Sequence, residues 1–154
     1  MSLVKVKNYF SKYNMENRIL VFHESTATVK EAAAALNTEE DRIAKSMSFK
    51  LKDGSIIIIV VSGLSRISNH KYKELFHEKA RMLSHDEVEE KTGHQVGGVC
   101  PFAANDNVKI YLDNSLKKYE TVFPACGSAN SAIEVTIKEL EKYSNYTSWI
   151  DITE

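Results

Sequence analysis

The sequence predicts an α/β domain in which helices pack around a mixed β-sheet. Two apolar runs, 45–51 and 55–61, flank Asp53-Gly54, a strong short-range hairpin signal. The second run, Ile56-Ile57-Ile58-Ile59-Val60-Val61, is β-branched throughout and does not alternate with polar residues, which predicts a central strand covered on both faces. Helix-start signals fall between the strand candidates without the regular βαβ rhythm of a dinucleotide-binding fold.

The elements follow in order. Val4, Val6, Tyr9, Phe10 and Tyr13 give an imperfect apolar stripe that predicts a first helix over 3–13. Ile19-Leu20-Val21-Phe22 reads as a short strand. Thr28 and Glu31 form a capping box, from which the alanine run carries a helix to Leu36. Thr38 and Asp41 mark another short helical turn that leads into Lys45. After the hairpin, 66–81 is expected to be mostly helical, and Ser84 with Glu87 predicts a helix through Lys91 that Gly93 ends. Strands are expected at 108–112, 121–123 and 132–137, and Thr136 with Glu139 caps a last helix through Tyr143.

The chain has 154 residues, the length of one domain, and neither a repeat nor a low-complexity linker divides it, so 1–154 is read as a single domain. Apolar and charged fractions of 43% and 27% are those of a globular protein able to bury a core. A formal net charge of −1 gives no overall basic footprint and argues against DNA as a partner, so any contact with nucleic acid must be local. Lys5, Lys7 and Lys12 read as a solvated face. The opening residues carry charges where a secretory leader has its apolar stretch, and the longest apolar run, 56–61, cannot span a bilayer. The cytoplasm is the expected compartment, with no membrane partner. Cys100 and Cys126 lack CxxC spacing, and the five histidines include no HExxH-type pair, so neither a metal nor any other cofactor is expected.

Three segments carry possible chemistry. Lys45 opens a strand that runs into Met47 and Phe49, which places its stem among apolar groups with its ammonium near the edge. Such a lysine can clamp a phosphate or an oxyanion, or simply reach from the surface into water. Gly97-Gly98-Val99-Cys100-Pro101-Phe102 permits close approach to backbone amides, and proline fixes its end. Amides from Gly97 through Cys100 can converge on a developing oxyanion, or the segment can be a tight turn after a helix. The third segment, 124–131, is rich in small residues and suits the wall of a compact pocket. Cys100 and Cys126 have no acid–base neighbour in sequence and read better as buried, inert thiols than as nucleophiles.

Asp41-Arg42-Ile43-Ala44-Lys45-Ser46, Thr92-Gly93-His94-Gln95-Val96-Gly97-Gly98-Val99-Cys100-Pro101-Phe102 and Asp113-Asn114-Ser115-Leu116 occur in this order at compatible distances. Together, over about 23–140, they resemble the YbaK/ProX family of aminoacyl-tRNA editing domains, related to the insertion domain of bacterial prolyl-tRNA synthetases. The resemblance implies a strongly curved mixed sheet and hydrolysis of the ester that joins a wrong amino acid to the tRNA 3′ end. Alanine or cysteine on tRNA for proline is the expected substrate. It implies that Lys45 is the essential lysine. Gly97, Gly98, Val99, Cys100, Pro101 and Phe102 would form a pocket wall with backbone donors, joined at the substrate by Asp113, Cys126, Gly127 and Ser128. The implied partners are the tRNA acceptor end and prolyl-tRNA synthetase.

This chain departs from the family pattern at two places. Ala125-Cys126-Gly127-Ser128 stands where many members have a run of glycines, and Cys100 stands where many have serine or threonine. With no histidine or glutamate base in evidence, the water would be activated by the substrate's own ribose hydroxyl, or a thiol substrate would cyclise and expel the tRNA, as is proposed for some relatives. The rival expectations are a non-catalytic module of the same fold that holds a tRNA end or docks a synthetase, and a thiol-dependent enzyme using Cys100 or Cys126.

Overall fold

A computed structural model describes residues 2–154; Met1 lies outside them. The elements are α1 (Ser2–Ser11), β1 (Leu20–Val21), α2 (Val29–Leu36), β2 (Ile43–Lys50), β3 (Ile56–Ser62), α3 (Asn69–Phe76), α4 (Val88–Thr92), β4 (Lys109–Asp113), β5 (Thr121–Pro124), β6 (Ser131–Ala132), β7 (Val135–Thr136), α5 (Ile137–Ser144) and β8 (Ser148–Ile150). Six strands form a curled mixed sheet in the order β7-β5-β2-β3-β4-β8, and β1 pairs with β6 beside it. This is the expected architecture.

β3 explains why its sequence does not alternate. All seven of its residues are buried, between β2 on one side and β4 on the other. Ile58 and Val60 face Val6 and Phe10 of α1 and Leu140 of α5, whereas Ile57, Ile59 and Val61 face Phe49, Tyr72 of α3 and Ile152. Two cores therefore share one strand. Each such aliphatic side chain contributes about 1.5–3 kcal/mol by leaving water. The β2–β3 hairpin closes through a three-residue loop: Gly54 N–H donates to Leu51 O at 2.9 Å, and Gly54 takes φ +91°. Only glycine adopts that bulge conformation freely.

Both threonine capping boxes form. Thr28 Oγ1 accepts from Glu31 N at 3.1 Å, and Thr136 Oγ1 from Glu139 N at 3.1 Å, each glutamate returning the bond to the cap amide. Gly93 ends α4 at φ +88°, as expected. The structure corrects three sequence expectations and adds one strand. The helix expected over 66–81 is only Asn69–Phe76, because Ser68 N–H bonds Ile152 O (2.8 Å), Ile67 bridges Thr153, and His77 turns left-handed. Around Ser84 only half a box forms: the Ser84 hydroxyl donates to the Glu87 carboxylate instead of capping its amide, and the helix starts at Val88. The strand expected over 132–137 is broken, since β6 pairs with β1 and β7 with β5. Finally, β8 had no sequence signal; three residues are too few to show a period.

Candidate active site

β2 is held at its start by Arg42, whose guanidinium lies over the Phe123 ring (5.0 Å to the centroid) and bonds Thr121 Oγ1 and Glu134. That clamp sets β5 parallel to β2 through the registers Ile43↔Phe123 and Ala44↔Pro124. Beyond this short pairing the strands diverge, and a cavity of about 180 Å³ opens between β2, the first turn of α2, the glycine loop and β6. Its wall is mostly small and apolar: Ala27, Ala32, Ala44, Val99, Ala125 and Ala132 among others. Lys45 is the one ionisable side chain lining it among the described residues.

Lys45 shares a face with its cross-strand partner Val61, and its Nζ donates to Ser65 O at 2.9 Å. Burial lowers its affinity for the proton, Arg66 adds to that effect, and Asp41 partly opposes it. Asp41 is itself occupied: it accepts from Lys118 Nζ and Tyr119 Oη at 2.8 Å and from Leu64 N at 3.0 Å. Burial pushes the Asp41 carboxyl up, but those bonds prevail and hold it at about 2. The Lys45 ammonium is thus half-desolvated, tethered by one carbonyl and, among the described residues, in no ion pair, its neighbour Asp41 being taken by Lys118.

Of the residues singled out in the sequence, Lys45, Gly97 and Val99 line the cavity. Gly97 has φ +83°, and a Cβ there would stand 2.8 Å from Ala27 Cβ across the mouth. Gly98 lies behind. Its N–H is used by Gln95 O and its carbonyl by Gly127 N (both 2.9 Å), and a Cβ would sit 2.4 Å from Ser128 N. Gly127 and Ser128 are this second layer. Gly127 (φ +95°) receives the Ser2 hydroxyl on its carbonyl, and Ser128 Oγ bonds Asn130 and Ser131. Cys100, Pro101 and Phe102 turn away into the core, where Phe102 meets Phe10 edge-on at 4.8 Å. Burial pushes the Cys100 thiol up to about 12, and the wholly buried Cys126 thiol is also raised well above its ordinary value. Asp113 is fully buried and joins distant segments, accepting from Ser115 N, Ile152 N and Thr153 Oγ1 at 2.8–2.9 Å.

Sequence reasoning missed the α2 lip (Thr26, Ala27, Thr28) and the β2 residue Ser46. The Thr28 capping box was the available signal for the lip, since it fixes where the helix N-terminus begins. Among the described residues no cluster of His, Cys, Asp or Glu is arranged to hold a metal ion, and no helix is long and apolar enough to cross a membrane.

The aminoacyl-tRNA editing domain family matches residues 23–143. The uncharacterized protein YwhH of Bacillus subtilis (strain 168) is 49% identical over 152 residues, 99% of this chain and 97% of its own. A proline–tRNA ligase of Bacillus cereus (strain AH820) is 28% identical over 124 residues, and the match spans 77% of this chain but only 21% of the ligase. Among solved structures, a candidate trans-editing enzyme for prolyl-tRNA synthetase superposes with a TM-score of 0.87 at 30% identity, covering 99% of this chain and 97% of that one.

Proposed function

The chain belongs to the aminoacyl-tRNA editing domain family, and from that premise we propose that it is a deacylase that removes a small amino acid, alanine or cysteine, from tRNA for proline. The observation that carries this reading is a lone, half-desolvated ammonium in a small apolar cavity. A cavity of about 180 Å³ suits a short aminoacyl group with its ester at the mouth. Lys45 binds the terminal phosphate or the charge that grows on the ester carbonyl, where low polarity makes one cation count for more than in water. Water adds to the carbonyl carbon, the carbon–ribose oxygen bond breaks, and that oxygen leaves with a proton. No imidazole or carboxylate lines the cavity among the described residues, so the neighbouring ribose hydroxyl relays the proton from water to the leaving oxygen.

A panel of mischarged tRNAs tests this, each assayed for release of the amino acid with and without prolyl-tRNA synthetase. Hydrolysis of alanyl- or cysteinyl-tRNA for proline is expected, and the cognate prolyl ester should survive. Binding without turnover across the panel would favour the second reading, a module that holds the tRNA end. The absence of a protein base at the cavity is the observation in its favour.

A further inference from the structure

The outer edge of β2 has two neighbours and a gap between them. Ile43 and Ala44 pair with β5. Farther on, Lys50 N–H donates to Arg81 O at 2.9 Å, and Leu83 N–H donates to Ser48 O at 3.2 Å. Each residue of a strand points its N–H and C=O to the same side, and successive residues alternate. Lys50 and Ser48 face outward, while Leu51 N–H, bonded to Ser55 O, faces β3. By that alternation the N–H and C=O of Ser46 also face outward, into the gap, and Ser46 lines the cavity beside Lys45. Neither group has a backbone partner outside the strands among the described residues.

The side chains add a second observation. Ser46 Oγ and Thr26 Oγ1 are both shielded from water, both lack a hydrogen-bond partner, and both belong to residues of the cavity wall. Buried polar groups are nearly always paired, and an unmade pair costs about 1–3 kcal/mol. Two unpaired hydroxyls, together with two main-chain groups aimed into the gap, point to a polar ligand at this cavity. Open strand edges are otherwise covered or blunted, yet this one opens only between two covered stretches.

We propose that the main chain of Ser46 grips the main chain of the substrate's amino acid. The Ser46 carbonyl accepts from the α-amino group, and the Ser46 N–H donates to the ester carbonyl oxygen. An α-amino ester carries the same donor and acceptor as one residue of a strand, so it completes the gap as a single added residue in an antiparallel pair. The N–H then faces the oxygen on which negative charge develops during water attack, which places an oxyanion donor on β2. Any amino acid offers this main-chain pair, so selection among side chains is left to the rest of the wall. The inference rests on the deacylase reading and adds the group that holds the reacting carbonyl.

The 15N-labelled full chain titrated with 3′-alanylamino-3′-deoxyadenosine, an amide that the enzyme does not cleave as an ester, tests it directly. The Ser46 amide proton should move downfield, and its solvent exchange should slow by about tenfold or more. An unmoved Ser46 amide overturns the proposal, whether Gly97 and Val99 respond or not. Kinetics supply the second arm. Ser46→Pro removes an N–H that faces away from β3, a position where a strand tolerates proline, whereas Ser46→Ala keeps it. Ser46→Pro should lower kcat by about 10²–10³-fold with little change in KM, and Ser46→Ala, which loses only the hydroxyl, by about tenfold less than that. Equal losses in the two variants, or full activity in Ser46→Pro, overturn it; should Ser46→Pro not fold, the amide titration decides alone. An inactive panel with a responsive Ser46 amide defeats the deacylase reading but leaves the grip standing. An active panel with a silent amide defeats only the grip.

Discussion

The glycine loop has two sides with opposite electrostatics. Behind it, His94, Cys100 and Phe102 are fully buried, with His94 Nε2 on Phe102 O at 2.8 Å and 3.6 Å from Cys100 Sγ. Burial pushes the His94 imidazole down to about 4 and the Cys100 thiol up to about 12, so both are neutral near pH 7. In front, Gly97 and Val99 border a half-open cavity where Lys45 keeps its charge at a carbonyl. A His–Cys pair looks like catalytic equipment in a sequence. Here full desolvation turns it into packing, and in the proposed reaction the chemistry falls to a cation that is only partly desolvated.

Three experiments press on that contrast. The largest effect is expected behind the loop: Phe102→Ala should cost about 3–5 kcal/mol in denaturant unfolding, because it empties a dry, aromatic contact with Phe10. Next, Lys45→Ala should lower kcat for deacylation by about 10²–10³-fold while the thermal midpoint holds or rises slightly. Folding disfavours the charged form of this side chain, so removing it releases an unfavourable interaction. In the wild type, activity should be lost as pH rises through a midpoint below the ordinary lysine range, since the proposed mechanism needs Lys45 protonated. A flat alkaline limb, or a melt several degrees lower in Lys45→Ala, would erase the distinction between the two sides. The smallest effect is expected from iodoacetamide on the native chain at pH 8. It should leave the mass and activity unchanged, and two additions should appear only after unfolding, one at each buried cysteine. Inactivation of the folded chain would return Cys100 or Cys126 to consideration as a nucleophile.

Much of the fold was legible because its signals are local. The Asp53-Gly54 turn, the unbroken β-branched run of β3 and the threonine boxes at Thr28 and Thr136 each depend on residues a few positions apart. The errors came where distant chain decides the outcome. Ile67 and Ser68 look helical until the Ile152–Thr153 segment is laid against them, and 132–137 looks continuous until β1 and β5 each claim one end. The site divides in the same way. Charge and backbone freedom single out Lys45 and Gly97 but leave a surface lysine and a tight turn open; the order and spacing of the motifs join them into one site. Whether Cys100 or Val99 faces the cavity depends on how the loop runs between Ser128 and Phe10, and Asp113 resembled a ligand group because its partners lie some forty residues later.

The Asp113 clasp has a corollary at the cavity. It fastens Ile152 and Thr153, these fasten Ile67 and Ser68, and two residues earlier Ser65 offers the carbonyl that moors Lys45. Ile152 and Thr153 are therefore rigging for the Lys45 ammonium. The opposite end is tied as well, with the Ser2 hydroxyl on Gly127 behind the other wall. Loosening either clasp therefore loosens one side of the cavity, by way of residues that never touch it.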